Sequence, residues 1–216
     1  YWERYKKYLL FKRGFSNHVV NALDSITDDI LDHMENPLKE GSWARKGLVV
    51  GDVQSGKTAN YTGLICKATD AGYKVIIVLA GMLNSLRNQT QRRLDNDYLG
   101  WCTVKRVHVG SSVYCDEKKH PVCFTNSKQD FNKDTAQQIA LQLGSLNEAI
   151  VFVVKKNKSS LTELYDWLVA NNGYQLQKYP MLMIDDEADH ASINTNKDDK
   201  DPTAINKAIR NLLSIF

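Results

Sequence analysis

Residues 46–60 read Lys46-Gly-Leu-Val-Val-Gly-Asp-Val-Gln-Ser-Gly-Lys-Thr-Ala-Asn60, and the rest of the chain is best understood from this segment. Within it, Gly51 to Thr58 fits the pattern G-x-x-x-x-G-K-[ST] at every required position. Glycines let the backbone wrap around a phosphate with its N–H groups pointing inwards, and the following helix presents its positive end to the same anion. The segment therefore predicts a phosphate-binding loop (a P-loop, or Walker A motif) between a strand and a helix.

The residues of this loop have predicted roles in binding a nucleotide. Lys57 is expected to reach the β- and γ-phosphates, which also makes it a candidate catalytic residue, and the Thr58 hydroxyl is expected to ligate Mg²⁺. The complete predicted nucleotide-binding set is Gly51, Gln54, Ser55, Gly56, Lys57 and Thr58.

Apolar runs alternate with helical patterns along most of the chain. The runs predict strands at residues 47–50, 74–80, 149–154 and 181–184, with a fifth at 104–109. The intervening patterns predict helices at residues 58–71, 85–96, 135–143 and 160–171, and a last helix from Asp201-Pro202 to the end. Continuous apolar strands alternating with helices favour a parallel sheet covered on both faces. The predicted fold class is therefore α/β.

The segment before the P-loop has a helical pattern of its own. Residues 1–15 predict one short helix, and Ser16 is expected to N-cap a second helix that stops before Pro37. We expect an N-terminal helical extension at residues 1–40 and the nucleotide-binding lobe at residues 41–216. The polar segment 111–134 is predicted to be an insertion or surface loop.

A second apolar strand ends in carboxylates, at Pro180-Met-Leu-Met-Ile-Asp-Asp-Glu-Ala-Asp-His190. A Walker B element requires this pattern, because its strand delivers an acid to the sheet edge that carries the P-loop. Asp186 is the predicted partner of the metal, together with Thr58. Glu187 is the predicted catalytic base that orients or deprotonates a water molecule. Asp185 comes one residue early and points to the other face of a strand.

Composition sets broad limits on the chain. Its 216 residues suffice for one sizeable α/β domain, and the formal charge of +3 neither demands nor excludes nucleic acid. No apolar run approaches the length of a membrane span and no signal peptide is visible, so we expect a cytoplasmic protein with reduced cysteines and no membrane partner. Cys115, His120 and Cys123, with Cys102 upstream, form an irregular cluster for which zinc is the alternative to ordinary thiols. The chain does not start with Met, and both ends are expected to be cuts in a longer protein.

The two motifs together resemble those of known enzymes. Gly56-Lys-Thr58 and Asp186-Glu-Ala-Asp189 look like motifs I and II of the superfamily-two DEAD/DEAH-type helicases, whose first lobe is a RecA-like P-loop NTPase domain. Residues 41–61 and 184–194 look like the bacterial Z-one domain family, whose members are often labelled endonuclease-like. The resemblance runs through separated blocks from Gly41 to about Asn194.

This resemblance implies a function. It predicts a hydrolase, the nucleotide lobe of an ATP-dependent, helicase-like or DNA-remodelling enzyme with ATP and Mg²⁺ as cofactors. The implied partners are nucleic acid (DNA before RNA), a second RecA-like lobe and a nuclease or methyltransferase of a DNA-defence system. The Ser/Thr-Ala-Thr element and the second lobe with its arginine finger would follow residue 216. Little hydrolysis is therefore expected of this chain alone.

Basic side chains beside the predicted sheet are candidates for contacting nucleic-acid phosphates. Arg87 lies in residues 79–89, which resemble motif Ia, and Lys155 and Lys156 lie in residues 154–157, in the place of motif Ib. Arg92 and Arg93 are further candidates, although the solvated face of an amphipathic helix explains them equally well. For His190 we expect a role in sensing nucleotide or in bridging to the second lobe.

Two other functions stay open. The first is a nucleotide-gated scaffold or switch, in which binding orders a partner interface with little hydrolysis. The second is nuclease activity or association with an endonuclease, because Glu117-Lys-Lys119 is an E-x-K tripeptide with Asp95 and Asp97 upstream. Such a metal site needs carboxylates that converge from adjacent strands, and no strand pattern surrounds Glu117.

Overall fold

The computed structural model describes residues 1–41, 43–51, 56–115, 119–132, 143–197 and 201–216. The α-helices, in chain order, are α1 (Trp2–Phe11), α2 (Asn17–Asp32), α3 (Lys57–Ala71), α4 (Asn84–Leu94), α5 (Lys158–Asn172) and α6 (Ala204–Leu213). The strands are β1 (Val75–Ala80), β2 (Trp101–Cys102), β3 (Val107–His108), β4 (Val122–Cys123), β5 (Ile150–Val154) and β6 (Met181–Asp186).

These elements fall into two compact units. Unit 1 comprises Tyr1–Tyr73 and Arg93–His120, and unit 2 comprises Lys74–Arg92 and Pro121–Phe216. The predicted domain boundary between residues 40 and 41 falls inside unit 1 and stays a prediction.

Unit 2 contains a four-stranded parallel sheet flanked by helices. The strand order is β4-β5-β1-β6, so β1 pairs with β5 on one side and with β6 on the other. Every residue of β1 and β5 is buried, as the continuous apolar runs predict. The predicted α/β class is confirmed, and the sheet is compatible with a RecA-like or Rossmann-type fold.

The core of unit 2 packs helices α5 and α6 against this sheet. Trp167 of α5 lies among three phenylalanine rings, Phe124, Phe131 and Phe152, with ring centroids 5.2 to 6.0 Å away. Aromatic side chains bury large apolar areas, so this cluster contributes strongly to the stability of the unit. The helical spacing of the sequence predicts α5 correctly, and the last helix is confirmed as α6.

Unit 1 is mainly helical. The two N-terminal helices are confirmed, and Ser16 accepts a hydrogen bond from the Val19 N–H as the N-cap of α2. Helices α1 and α2 approach α3 closely at Gly63, where an added Cβ would lie 3.1 Å from the Trp2 ring and 3.2 Å from Thr27. The buried guanidinium of Arg4 donates to the carbonyl oxygens of Tyr98, Leu99 and Lys119, which ties α1 to the later part of the unit.

The second part of unit 1 begins with a π-helix at Asp95–Leu99, followed by the β2–β3 hairpin and a 3-10 helix at Gly110–Tyr114. Gly110 has a φ of +55°, and a Cβ at this position would overlap the backbone carbonyl of Asn96. Only glycine can therefore bring the 3-10 helix this close to the π-helix.

Three sequence predictions about elements are wrong. Residues 47–50 form no strand, and Leu48, Val49 and Val50 are 81%, 56% and 85% exposed. This run belongs to unit 1, whereas the parallel sheet belongs to unit 2, and an apolar run forms a strand only where a neighbour supplies backbone hydrogen bonds. The predicted strand at 104–109 shrinks to β3, which pairs with β2 in an antiparallel hairpin. The predicted loop 111–134 contains β4, which joins the parallel sheet beside β5. The predicted helix at 135–143 lies outside the described residues except for Leu143.

Candidate functional site

The described part of the predicted P-loop lies at the start of α3 in unit 1. Gly56 is the N-cap of this helix, and its φ of +79° is a left-handed conformation that glycine adopts without strain. Glycine has no side chain with which to cap the first-turn N–H groups, so the positive end of a fifteen-residue helix is not neutralised by its own N-cap. Gly51 is also described, whereas Gln54 and Ser55 lie outside the described residues.

Two residues of the first turn of α3 carry the predicted phosphate and metal contacts. Lys57 is exposed and Thr58 is half-buried. The Thr58 hydroxyl accepts a hydrogen bond from Arg93, with Nη1 of Arg93 2.8 Å from Oγ1 of Thr58. Arg93 is exposed and lies at the end of α4. The sequence does not predict this contact, because 35 residues separate its partners.

Asp97 lies one helical turn beyond Arg93 and is buried in unit 1. Its Oδ1 accepts no hydrogen bond within the described structure. Burial raises the pKa of this carboxyl to about 6, against a smaller opposing effect of the charges of Arg13 and Arg93. Asp95 is also buried, and its Oδ2 accepts hydrogen bonds from the backbone N–H and the hydroxyl of Thr103.

The predicted Walker B carboxylates lie at the end of β6 in unit 2. In the register of the sheet, Asp185 stands opposite Leu79 and Asp186 opposite Ala80, so both acids lie at the carboxyl ends of parallel strands. Glu187 follows with a φ of +57°, a left-handed conformation that is uncommon outside glycine. Its Oε2 lies 3.8 Å from the position a Cβ would take on Gly81, just after β1. The strand thus ends with a sharply turned carboxylate over the neighbouring strand end.

A buried lysine holds this acidic turn. The side chain of Lys156 is 0% exposed, and its Nζ lies 2.9 Å from Oδ1 of Asp185, which is 25% exposed. The Asp185 Oδ1 accepts no aligned hydrogen bond, so the pair is joined by charge. The same ammonium donates to the carbonyl oxygens of Glu187 and His190, at 2.5 and 3.1 Å, and to the hydroxyl of Ser192 at 3.3 Å. Lys156 therefore fixes the backbone on which Glu187 turns.

The other basic candidates of unit 2 differ in accessibility. Arg87 is buried and donates to the carbonyl oxygens of Val153 and Asn126. The head groups of Arg87 and Lys156 both bind their own chain, and their predicted contact with nucleic acid stays a prediction. Lys155 is half-buried with an accessible Nζ, which donates to Asn84, and its predicted contact with nucleic acid stays a prediction. His190 is exposed, and its backbone N–H donates to the Glu187 carbonyl.

The alternative metal clusters receive no support from the described part of the chain. Within it, no group of three or more His, Cys, Asp and Glu side chains is arranged to hold a metal ion. His120 stacks on Trp101 with ring centroids 4.5 Å apart, and Cys123, in unit 2, contacts Gln91 and Thr125. Glu117 of the E-x-K tripeptide lies outside the described residues.

Helices long and apolar enough to cross a membrane do not occur in the described ranges. Comparisons of the chain with protein-family profiles, with curated proteins and with solved structures give no match in any of the three.

Proposed function

We propose that this chain is the nucleotide-binding lobe of an ATP-dependent, helicase-like enzyme that acts on DNA. One observation carries the proposal: the G-x-x-x-x-G-K-T pattern is followed at once by a long helix whose N-cap is a left-handed glycine and whose first turn exposes Lys57. A glycine turn into a helix N-terminus, with a lysine beside it, is an arrangement that suits a phosphate group. The α/β architecture of unit 2 supports the same assignment.

The residues present suit a magnesium nucleotide in their chemistry. Mg²⁺ prefers hard oxygen donors such as a threonine hydroxyl and an aspartate carboxylate. Unit 1 offers the hydroxyl of Thr58, and unit 2 by itself offers the carboxylate of Asp186. The bound ion would neutralise charge on the phosphate oxygens. Lys57 would bind the β- and γ-phosphates. Glu187 would hold the attacking water and accept its proton, on a turn that Lys156 keeps in place.

Loss of nucleotide binding in Lys57→Ala tests the proposal. We expect Mg²⁺-ATP and Mg²⁺-ADP to raise the melting temperature of the wild-type chain by several degrees, because a ligand that binds only the folded state stabilises it. Lys57→Ala should lose this shift, since the side chain that contacts the phosphates is gone. Differential scanning fluorimetry with millimolar nucleotide provides the measurement.

The matched control is Lys46→Ala, which removes another exposed lysine from the same unit before the loop. This variant should keep the full shift. The proposal is overturned if the wild-type chain shows no shift with either nucleotide, or if Lys57→Ala shifts as much as wild type.

A nucleotide-gated switch is the second candidate function. This function is favoured by the exposed apolar run Leu48-Val49-Val50, which directly precedes the predicted P-loop. Exposed apolar segments commonly mark interaction surfaces. Glu187→Gln distinguishes the two functions. For an ATP-hydrolysing enzyme we expect turnover to fall by about 100-fold or more with the dissociation constant for ATP nearly unchanged. For a switch, neither quantity should move much. Phosphate release and fluorescent-nucleotide titration measure the two quantities on the same preparation.

A further inference from the structure

Arg93 forms a hydrogen bond to the same oxygen atom that the proposed function assigns to the metal ion. Its Nη1 donates to a lone pair of Thr58 Oγ1 at 2.8 Å. A Mg²⁺ ion ligated by Thr58 would use a lone pair of the same oxygen. Two positive groups within bonding distance of one oxygen repel each other strongly, so the contact with Arg93 and the bond to Mg²⁺ oppose each other.

We propose that Arg93 stands in for the metal at Thr58 and is displaced when Mg²⁺ binds, so that this residue sets how strongly nucleotide binding depends on Mg²⁺. The proposal rests on the proposed function. Arg93 has the required properties: its guanidinium is always charged, it is exposed and so free to swing away, and it lies in the same compact unit as the first turn of α3.

The stand-in has two opposite consequences. Without a divalent ion, a nucleotide meets two cationic side chains of this chain, Lys57 and Arg93. A charge-assisted hydrogen bond to a phosphate is strong, so Arg93 contributes to binding of the metal-free nucleotide. With Mg²⁺ present, the ion must first displace the guanidinium from Thr58. Arg93 therefore supports binding in the absence of metal and opposes the metal itself.

The test measures dissociation constants for ADP by isothermal titration calorimetry, in EDTA and in saturating Mg²⁺. For Arg93→Gln we expect the constant in EDTA to rise by about tenfold, the loss of one charge-assisted contact. In Mg²⁺ it should stay the same or fall. The ratio of the dissociation constant in EDTA to that in Mg²⁺ should thus be about tenfold or more higher than in wild type. For Arg93→Lys, which keeps the charge, this ratio should lie between those of wild type and Arg93→Gln.

Arg106→Gln is the matched control, because it removes one exposed arginine from the β2–β3 turn of the same unit. Its ratio should equal that of wild type. Melting curves without nucleotide establish that each variant is folded. The inference is overturned, and the proposed function retained, if the wild-type chain binds ADP in a Lys57-dependent manner and Arg93→Gln leaves the ratio unchanged. Both are overturned if the wild-type chain binds ADP under neither condition.

Discussion

Lys156→Met is expected to destabilise the chain by about 3 kcal/mol, the cost of breaking a buried ion pair by removing one partner. The ammonium of Lys156 is fully buried, pairs with Asp185 and donates to two backbone carbonyl oxygens of the acidic turn. Removing it leaves the Asp185 carboxylate without its counter-charge and two carbonyl groups without their donor, and each of these groups then carries a desolvation cost. Urea denaturation followed by circular dichroism measures the change in unfolding free energy.

The adjacent lysine provides the control for this experiment. The Nζ of Lys155 is accessible and donates to Asn84, so Lys155→Met should change stability by less than about 0.5 kcal/mol. The double variant Lys156→Met with Asp185→Asn should recover part of the loss, because it removes the unpaired charge as well. Equal stability of the two single lysine variants would contradict the interpretation of Lys156 as the group that holds the turn.

Asp97→Asn is expected to stabilise the chain at neutral pH. In the unfolded chain an aspartate ionises at about pH 3.9, whereas the folded-state pKa of Asp97 is about 6. Between these values the unfolded chain releases a proton that the folded chain retains, so rising pH favours unfolding. The stability linked to the neutral carboxyl is complete below about pH 4 and is lost as the pH rises through about 6. A difference of roughly two pKa units corresponds to about 3 kcal/mol.

Asparagine stays neutral at every pH and therefore shows no such loss. Urea denaturation across the range from acidic to neutral pH should find that the advantage of Asp97→Asn over wild type grows by up to about 3 kcal/mol. Asp32→Asn, which removes an exposed carboxyl of the same unit, corrects for the change in net charge. An advantage that does not grow with pH would show that the Asp97 carboxyl is already ionised at acidic pH in the folded chain.

Hydrophobic pattern predicts most of the fold of this chain. Apolar spacing, with Ser16 as an N-cap, correctly predicts strands β1, β5 and β6 and helices α2, α3 and α5. It does so because a face that is buried in the fold carries apolar residues at the period of its element. Pattern fails at residues 47–50, where strand formation depends on a neighbour far away in the sequence. It also fails at β4, since two residues are too few to give a periodic signal.

The candidate site divides in the same manner. The spacing of Gly51, Gly56, Lys57 and Thr58 is enough to predict a P-loop, because all its groups are close in sequence. The contacts of Lys156 and Arg93 are tertiary, so sequence spacing does not predict them. The general rule that charged residues lie on the surface would also place Lys156 in solvent, whereas it is buried. One feature of the sequence does point to the Lys156 contact. Lys156 lies two residues beyond a fully apolar run, and three consecutive acids follow another apolar run, at residues 181–184. Opposite charges at the carboxyl ends of parallel strands are expected to meet.

The close contact between Gly110 and the Asn96 carbonyl also limits which sequences this unit can accept. In a library carrying every amino acid at each position, most surface sites of unit 1 should tolerate many residues. Position 110 should accept glycine alone, since even alanine would force the backbone of the π-helix to move. A deep mutational scan read out by the abundance of folded protein would therefore show a sharply intolerant position at the start of a short 3-10 helix, about 50 residues along the sequence from the predicted P-loop.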